Sequence, residues 1–307
     1  MRHSADLLVI FGLFILGAAL GQIFVLLSLS VWYGLPANGE TTANLFNISQ
    51  LLRHPEGVWV VYYMQAITAL SGLGLSGWVY RRFFAKPPVL PLQDKPLRLS
   101  QASLVILLVM VLIPFVSWLV WLNVQMRLPA FLSDFEQWAK QKEHSTAEMM
   151  NLLTRFPTAW HFWVAVVVVA VIPAICEEYW FRGVLQNKFR DVFSPHVAIW
   201  VSGFIFSALH FQFYGFFPRW LLGVLFGYLY YWSGNLWTTI IAHFINNFLT
   251  LLAIYLYRLK VLEFNFYEPM PVAWYLLLPS VLGSFGLIYL YYYQLLGNRE
   301  QLSKGKQ

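Results

Sequence analysis

Residues 158–189 read TAWHFWVAVVVVAVIPAICEEYWFRGVLQNKF, with no Asp, Glu, Lys or Arg before Glu177. An α-helix of about 20 apolar residues is long enough to cross the hydrocarbon layer of a bilayer, which is roughly 30 Å thick. The segment therefore predicts a transmembrane helix. Its second half departs from the usual pattern because it carries charged side chains.

Apolar segments of this kind recur along the whole chain. Of its 307 residues, 59% are hydrophobic and 11% are charged, whereas roughly 25% are charged in soluble domains. A soluble domain cannot bury so much apolar surface, so the sequence predicts an all-α, polytopic transmembrane helix bundle. About eight spans are predicted, at residues 7–33, 57–80, 102–126, 158–189, 195–217, 219–233, 236–257 and 272–296.

The basic residues between the spans predict how the chain is oriented. The connection after the second span carries Arg81, Arg82, Lys86, Lys95 and Arg98 against Asp94 alone. The next connection mixes Lys140 and Lys142 with Asp134, Glu136, Glu143 and Glu148. By the positive-inside rule the first connection is cytoplasmic and the second external, which places both termini in the cytoplasm. The formal net charge of +6 then needs no nucleic-acid partner, and short loops favour a bacterial plasma membrane.

The chain divides into four parts that differ in their content of charged and aromatic residues. Residues 1–128 form an N-terminal transmembrane region with few ionisable groups. Residues 129–157 mix aromatic and charged side chains, a pattern typical of a helix that lies on the membrane surface, here the external one. Residues 158–257 place charges and histidines inside apolar segments and are the expected site of chemistry. Residues 258–307 hold the final span and a cytoplasmic tail.

The charged residues of the fourth span are expected to have separate roles. Pro173 removes a backbone hydrogen bond and predicts a kink before them. Glu178 and Arg182 are four residues apart and share a helix face, so they can form a charge-assisted pair. Glu177 points about 100° away from Glu178 and has no local partner. The alternative is that both glutamates only mark the end of the helix near the interface.

Two later spans carry polar groups within apolar surroundings. Residues 204–213 read FIFSALHFQF, which places Phe206 and His210 on one helix face. Residues 238–249 read TTIIAHFINNFL, in which His243 and Asn247 project side by side. Taken alone, a histidine of this kind is more typical of a helix core, and a His–Asn pair of a contact between helices. With Glu177, however, they form a carboxylate, two imidazoles and an amide at similar predicted depth.

Three motifs in this part of the chain resemble those of one protein family. EEYWFR at 177–182, FSALH at 206–210 and HFINN at 243–247 are similar to the Glu-Glu-x-x-x-Arg, Phe-x-x-x-His and His-x-x-x-Asn motifs of the CAAX prenyl protease and bacteriocin-processing (CPBP, Rce1-like) intramembrane proteases. The resemblance covers about residues 158–255. It implies an endopeptidase that acts on membrane-associated or lipidated, CAAX-like peptides or on membrane proteins.

Two mechanisms are compatible with these residues. In the first, which the resemblance also implies, Glu177 and His210 deprotonate a water, and His243 and Asn247 donate to the oxyanion. Glu178 with Arg182 supports the helix. In the second, zinc is the cofactor and is bound by Glu177, His210 and His243. The metal-free mechanism is favoured, because the chain lacks His-Glu-x-x-His and no carboxylate that would support each histidine is evident in the sequence.

Three further alternatives remain at this stage. A thiol mechanism through Cys176 is disfavoured, since the neighbouring glutamates oppose the thiolate that it needs. A transporter would also place charges in the membrane, but no inverted repeat of interrupted helices is visible. A catalytically idle scaffold or bacteriocin-immunity protein is the other non-enzymatic alternative. The expected partners are a peptide or membrane-protein substrate and the lipid bilayer.

Overall fold

The protein is a bundle of helices in every range that the computed structural model describes, namely residues 2–33, 57–85, 92, 96–263 and 270–304. This confirms the predicted all-α class. Within these ranges we number nine helices in chain order. They are α1 Arg2–Tyr33, α2 Gly57–Phe84, α3 Leu99–Val124, α4 Ser133–Leu153, α5 Ala159–Arg190, α6 Pro195–Ala208, α7 Phe216–Ser233, α8 Leu236–Arg258 and α9 Trp274–Lys304.

Six of these helices, α1, α2, α3, α5, α8 and α9, are long and apolar enough to cross a membrane. The predicted fifth span, 195–217, is shorter in the structure, since α6 has only 14 residues, whereas α7, with 18 residues, contains the whole predicted sixth span, 219–233. The break arises because Phe211 adopts a left-handed backbone conformation with φ 54°, which a right-handed helix cannot contain. His210 therefore lies in the connection between α6 and α7, not inside a helix as predicted.

Helices α5, α6 and α7 pack closely around the charged part of α5. A Cβ atom added to Gly223 of α7 would lie 3.1 Å from the Cα atom of Gly203 of α6, so only glycines allow this approach. The Arg182 guanidinium of α5 donates to the carbonyl of Gly223 (2.9 Å), and Gln186 donates to that of Gly227 (3.1 Å). Buried side chains of α5 thus bond directly to the backbone of α7.

Helix α5 is irregular on both sides of its charged residues. Two π-helical segments, Val166–Val171 and Tyr179–Gln186, flank the α-helical segment Ile172–Glu178. Pro173 has no N–H to donate to the carbonyl four residues before it, which belongs to Val169. That carbonyl instead accepts a hydrogen bond from a side chain of α8, described below. π-Helical segments inside α-helices are frequent at functional sites.

Helix α4 packs along the bundle as an amphipathic element. It begins after a single 3-10 turn, and its last residues, Leu152 and Leu153, are buried against α2. The hydroxyl of Tyr62 in α2 donates to the carbonyl of Leu153 (2.9 Å). Near its start, the Phe135 ring meets the Phe213 ring of the α6–α7 connection edge-on at 5.3 Å. The helix is thereby placed next to that connection.

The outer faces of the first and last helices are apolar. Leu8 and Val31 of α1 are 75% and 80% exposed, and Trp274 and Phe285 of α9 are 75% and 69% exposed. Such faces match a lipid environment. Of the residues used to orient the chain, Lys86, Asp94 and Lys95 lie outside the described residues, and the cytoplasmic placement of both termini stays a prediction.

Candidate active site

A buried ion pair lies in the second half of α5. The Arg182 Nη1 atom is 2.7 Å from Glu178 Oε1, and the two residues are 1% and 0% exposed. The Arg182 guanidinium also lies over the Phe206 ring at 4.9 Å and over the Phe226 ring at 5.6 Å. The pairing matches the four-residue spacing in the sequence. The carboxylate, the ring faces and the Gly223 carbonyl together compensate the charge of the arginine.

His243 of α8 is bound to the same carboxylate. Its Nδ1 atom lies 2.8 Å from Glu178 Oε1. Because a carboxylate only accepts hydrogen bonds, Nδ1 carries a hydrogen and donates it, which leaves Nε2 of His243 for other partners. The four-residue spacing in the sequence relates Glu178 to Arg182 alone and does not predict this contact. The two residues are 65 positions apart, and no local spacing rule relates them.

Glu177 remains without a hydrogen bond on one oxygen. Its Oε2 atom is buried and has no hydrogen-bond partner among the described residues. The same atom lies 3.9 Å from Nε2 of His243, a distance too long for a direct hydrogen bond. The neighbouring glutamates thus differ in their partners. Glu178 Oε1 contacts Arg182 and His243, although Glu178 Oε2 is also buried without a hydrogen-bond partner among the described residues, whereas Glu177 presents its open Oε2 atom toward His243.

His210 follows the end of α6 and is exposed. Its Nδ1 atom lies 2.7 Å from the Phe206 carbonyl, which can only accept, so Nδ1 donates and Nε2 is left open. The Phe206 ring lies 5.0 Å from the His210 ring and 6.0 Å from the His243 ring. The phenylalanine of the second motif therefore contacts both imidazoles and limits their orientations, a role that the sequence did not reveal.

Asn247 supplies the amide of the predicted set. Its Nδ2 atom donates to the Val169 carbonyl (3.2 Å), the carbonyl to which Pro173 has no N–H to donate. Its Oδ1 atom accepts a hydrogen bond from Asn246 (3.2 Å). An amide nitrogen has two hydrogens, so one remains for a further acceptor. Proline in α5 thus explains how the Asn247 side chain is oriented.

The predicted zinc ligands do not form a metal site as they stand. Zinc requires nitrogen and oxygen ligands at about 2.0–2.2 Å from one point. Glu177, His210 and His243 do not converge in this way, and no group of three or more His, Cys, Asp or Glu does so in the described ranges. The sequence showed no carboxylate that would support each histidine, but in the structure Glu178 supports His243 in this way.

Cys176 belongs to a packing interface. The thiol is buried, and a Cβ atom added to Gly74 of α2 would lie 3.1 Å from its sulfur. Glu178, two residues further on, is instead bonded to α8. Cys176 therefore faces the N-terminal helices, away from the His243 imidazole.

Comparison with known proteins places this site inside a recognised domain. Residues 159–249 match the family model described as Type II CAAX prenyl endopeptidase Rce1-like. The chain is also 36% identical over 87 residues to "Uncharacterized protein YpbD" of Bacillus subtilis (strain 168). That alignment covers 26% of this chain and 40% of the relative, so the chain spans about two-fifths of the length of the relative. No solved structure matches.

The matched range contains every residue of the candidate site, from Glu177 on α5 to Asn247 on α8. The helices that carry them are among those long and apolar enough to cross a membrane, apart from the shorter α6 that precedes His210. The chain is therefore an integral membrane protein with an Rce1-like domain at residues 159–249, and the family that this domain represents is a protease family.

Proposed function

We propose that the protein is an intramembrane endopeptidase that hydrolyses membrane-associated or lipidated, CAAX-like peptides or proteins. One observation carries the proposal. The open oxygen of Glu177 and Nε2 of His243 face each other at 3.9 Å, while the other His243 nitrogen is held by Glu178. A carboxylate and an imidazole that face each other without a direct bond leave a place for water and for a reacting carbonyl.

Glu177 and His210 are the groups that activate the water. Glu177 Oε2 has no competing donor, and His210 Nε2 is open because Nδ1 donates to the Phe206 carbonyl. A water within about 2.6–3.2 Å of such acceptors can lose a proton as it attacks the scissile carbonyl. The proton passes to Glu177 and later to the leaving amine.

His243 and Asn247 stabilise the oxyanion that this attack creates. Asn247 contributes the N–H hydrogen that Val169 does not use. His243 can contribute an Nε2 hydrogen only when both ring nitrogens are protonated, because its Nδ1 hydrogen is already donated to Glu178. Donors that are fixed before the reaction need no reorganisation when charge develops on the oxygen. Glu178 and Arg182 act by positioning, since they hold His243 and α7.

Cleavage of a quenched fluorescent peptide by the purified protein in liposomes tests the proposal. The peptide carries an S-farnesylated cysteine followed by three residues. Wild-type protein is expected to cleave it, and Glu177→Gln and His210→Ala to lose that activity. His196→Ala and Glu148→Gln are matched controls, because they remove the same groups from an exposed and a partly exposed position outside the site.

A zinc chelator separates the two mechanisms in the same assay. Cleavage that survives the chelator supports water activation by Glu177 and His210. Cleavage that disappears and returns with added zinc would instead support the zinc alternative with Glu177, His210 and His243. If wild-type protein and all variants fail to cleave peptides of any kind, the scaffold or transporter alternative replaces the protease.

A further inference from the structure

A second arginine lies near the proposed reaction centre, and none of the three sequence motifs includes it. Arg219 lies in the first turn of α7, directly after the connection that carries His210. Its Nη2 atom donates to Gln212 Oε1 (2.6 Å). Its Nη1 atom is buried and has no hydrogen-bond partner in the described part of the chain. Arg182, by contrast, is bonded to a carboxylate and a carbonyl.

Arg219 is electrostatically coupled to the site. Its charge interacts with Glu177 and with His210, and it also interacts with Glu143 of α4. Neither carboxylate is within the 4.0 Å of an ion pair, since the salt bridges of the described residues do not include Arg219. The guanidinium therefore lies near two acids and contacts neither.

The position of this guanidinium is fixed by its surroundings. Gln212 holds one side, and a Cβ atom added to Gly215 would lie 3.0 Å from Arg219 Nη2, so the glycine leaves room for the guanidinium. Leaving a buried polar group unpaired is unfavourable, and more so when the group is charged. Such an unpaired group is expected where a ligand completes the missing bond.

Glu143 is a poor permanent partner for Arg219. Burial raises the pKa of the Glu143 carboxyl, although the Arg219 charge opposes this shift. Its Oε2 atom is also buried without a hydrogen-bond partner among the described residues. With α4 packed in place, the two groups still do not pair. The missing acceptor of Arg219 is thus better supplied from outside the chain.

We propose that Arg219, held by Gln212, binds the C-terminal carboxylate of the substrate. This inference rests on the proposed function and names, within it, the residue that selects peptides with a free C-terminal carboxylate. A guanidinium fits a carboxylate with two parallel hydrogen bonds, which a neutral amide cannot match. Three extended residues span roughly 10 Å, which is the separation at which Arg219 would hold the terminus of a peptide whose scissile carbonyl lies at Glu177.

Equilibrium binding of one peptide in two forms tests this assignment. The probe is a fluorescent, S-farnesylated peptide whose scissile amide is replaced by a non-hydrolysable methylene linkage. It is made with a C-terminal carboxylate and with a carboxamide. Wild-type protein in detergent is expected to bind the carboxylate form about tenfold more tightly or better, as a hydrogen-bonded charge pair provides.

Three variants assign that preference to a residue. Arg219→Gln is expected to lose it, Arg219→Lys to keep part of it through the charge, and Glu143→Gln to keep it fully. Equal binding of the two peptides by wild-type protein would overturn the assignment, as would a preference that persists in Arg219→Gln. Loss of the preference in Glu143→Gln would also overturn it and would assign Arg219 to the docking of α4.

Failure of the Arg219 assignment can be distinguished from failure of the proposed function. The proposed function fails if wild-type protein does not cleave the hydrolysable peptides, whereas the preference for a carboxylate is measured with peptides that cannot be cleaved. Thermal unfolding of each variant shows whether it is folded. The comparison of two peptides on wild-type protein needs no variant at all.

Discussion

Glu177 and Glu178 are neighbours with different surroundings, so the same substitution should affect them differently. Glu178→Gln removes the carboxylate that both Arg182 and His243 contact. Removing one partner of a buried ion pair costs about 3–5 kcal/mol, so we expect a clearly lower unfolding temperature in detergent. Glu177→Gln should leave that temperature near the wild-type value and abolish cleavage. Equal stability of the two variants would contradict the buried network described for Glu178.

Asn247 is predicted to act in catalysis, and a purely structural role would not change kcat in the same way. Asn247→Ala removes a donor to the oxyanion, and loss of one such donor lowers kcat by about 10²–10³. KM should change little, because the interaction forms only in the transition state. Asn246→Ala is the comparison, since it removes the bond to Asn247 Oδ1 but leaves the bond between Asn247 and the Val169 carbonyl in place. A fall in thermal stability with unchanged kcat would assign Asn247 to packing alone.

Residue contacts differ in how far the sequence could predict them. The Glu178–Arg182 pair follows from four-residue spacing within one helix. The free Val169 carbonyl also follows from Pro173, but its partner Asn247 lies 78 positions away. The bond between His243 and Glu178 and the unpaired nitrogen of Arg219 depend on how helices meet. Periodicity in one segment therefore predicts which faces are polar but not which faces contact each other.

At the level of the helices, the main difference from prediction is the length of α6. The apolar run 204–213 contains no glycine or proline, so hydropathy predicts an uninterrupted span. In the structure the helix ends at Ala208 because Phe211 takes a left-handed conformation. This break places His210 and Gln212 in a connection beside Arg219. The end of α6 is thus determined by long-range packing, which the local sequence does not show.

The close contact of α6 and α7 gives a prediction at the scale of these helices. Gly223→Val would drive a side chain against the Gly203 backbone and the Phe206 ring, which lie 3.1 Å and 3.2 Å from an added Cβ atom. Overpacking of this kind costs about 1–3 kcal/mol, and it displaces the ring that contacts both histidines. We expect lower thermal stability and weaker cleavage. Gly286→Val is the control, because nothing lies within 4 Å of an added Cβ atom there; similar losses in both variants would contradict the argument.

In the whole molecule, the N-terminal helix α1 packs against the domain at residues 159–249. Trp180 of α5 is fully buried, and the rings of Phe11 and Phe14 of α1 lie 5.6 Å and 5.3 Å from it. Lys188 of α5 forms a salt bridge with Asp6 of α1 at 2.6 Å. The candidate site therefore depends on helices outside residues 159–249. The sequence predicted these spans from hydropathy, but it held no signal for their contacts with α5.

The orientation of the whole molecule is the remaining prediction, and cysteine labelling measures it. In a Cys176→Ala background, a cysteine at the exposed position Gln141 of α4 should react with a membrane-impermeant maleimide in intact cells. A cysteine at the exposed position Ser194, in the turn between α5 and α6, should react only after permeabilisation. The expectation follows because the basic residues Arg81, Arg82 and Lys188 lie at the Ser194 end of the bundle, where the positive-inside rule places the cytoplasm. The reversed pattern would put α4 on the cytoplasmic side, and peptides would then reach Arg219 and Glu143 from the cell interior.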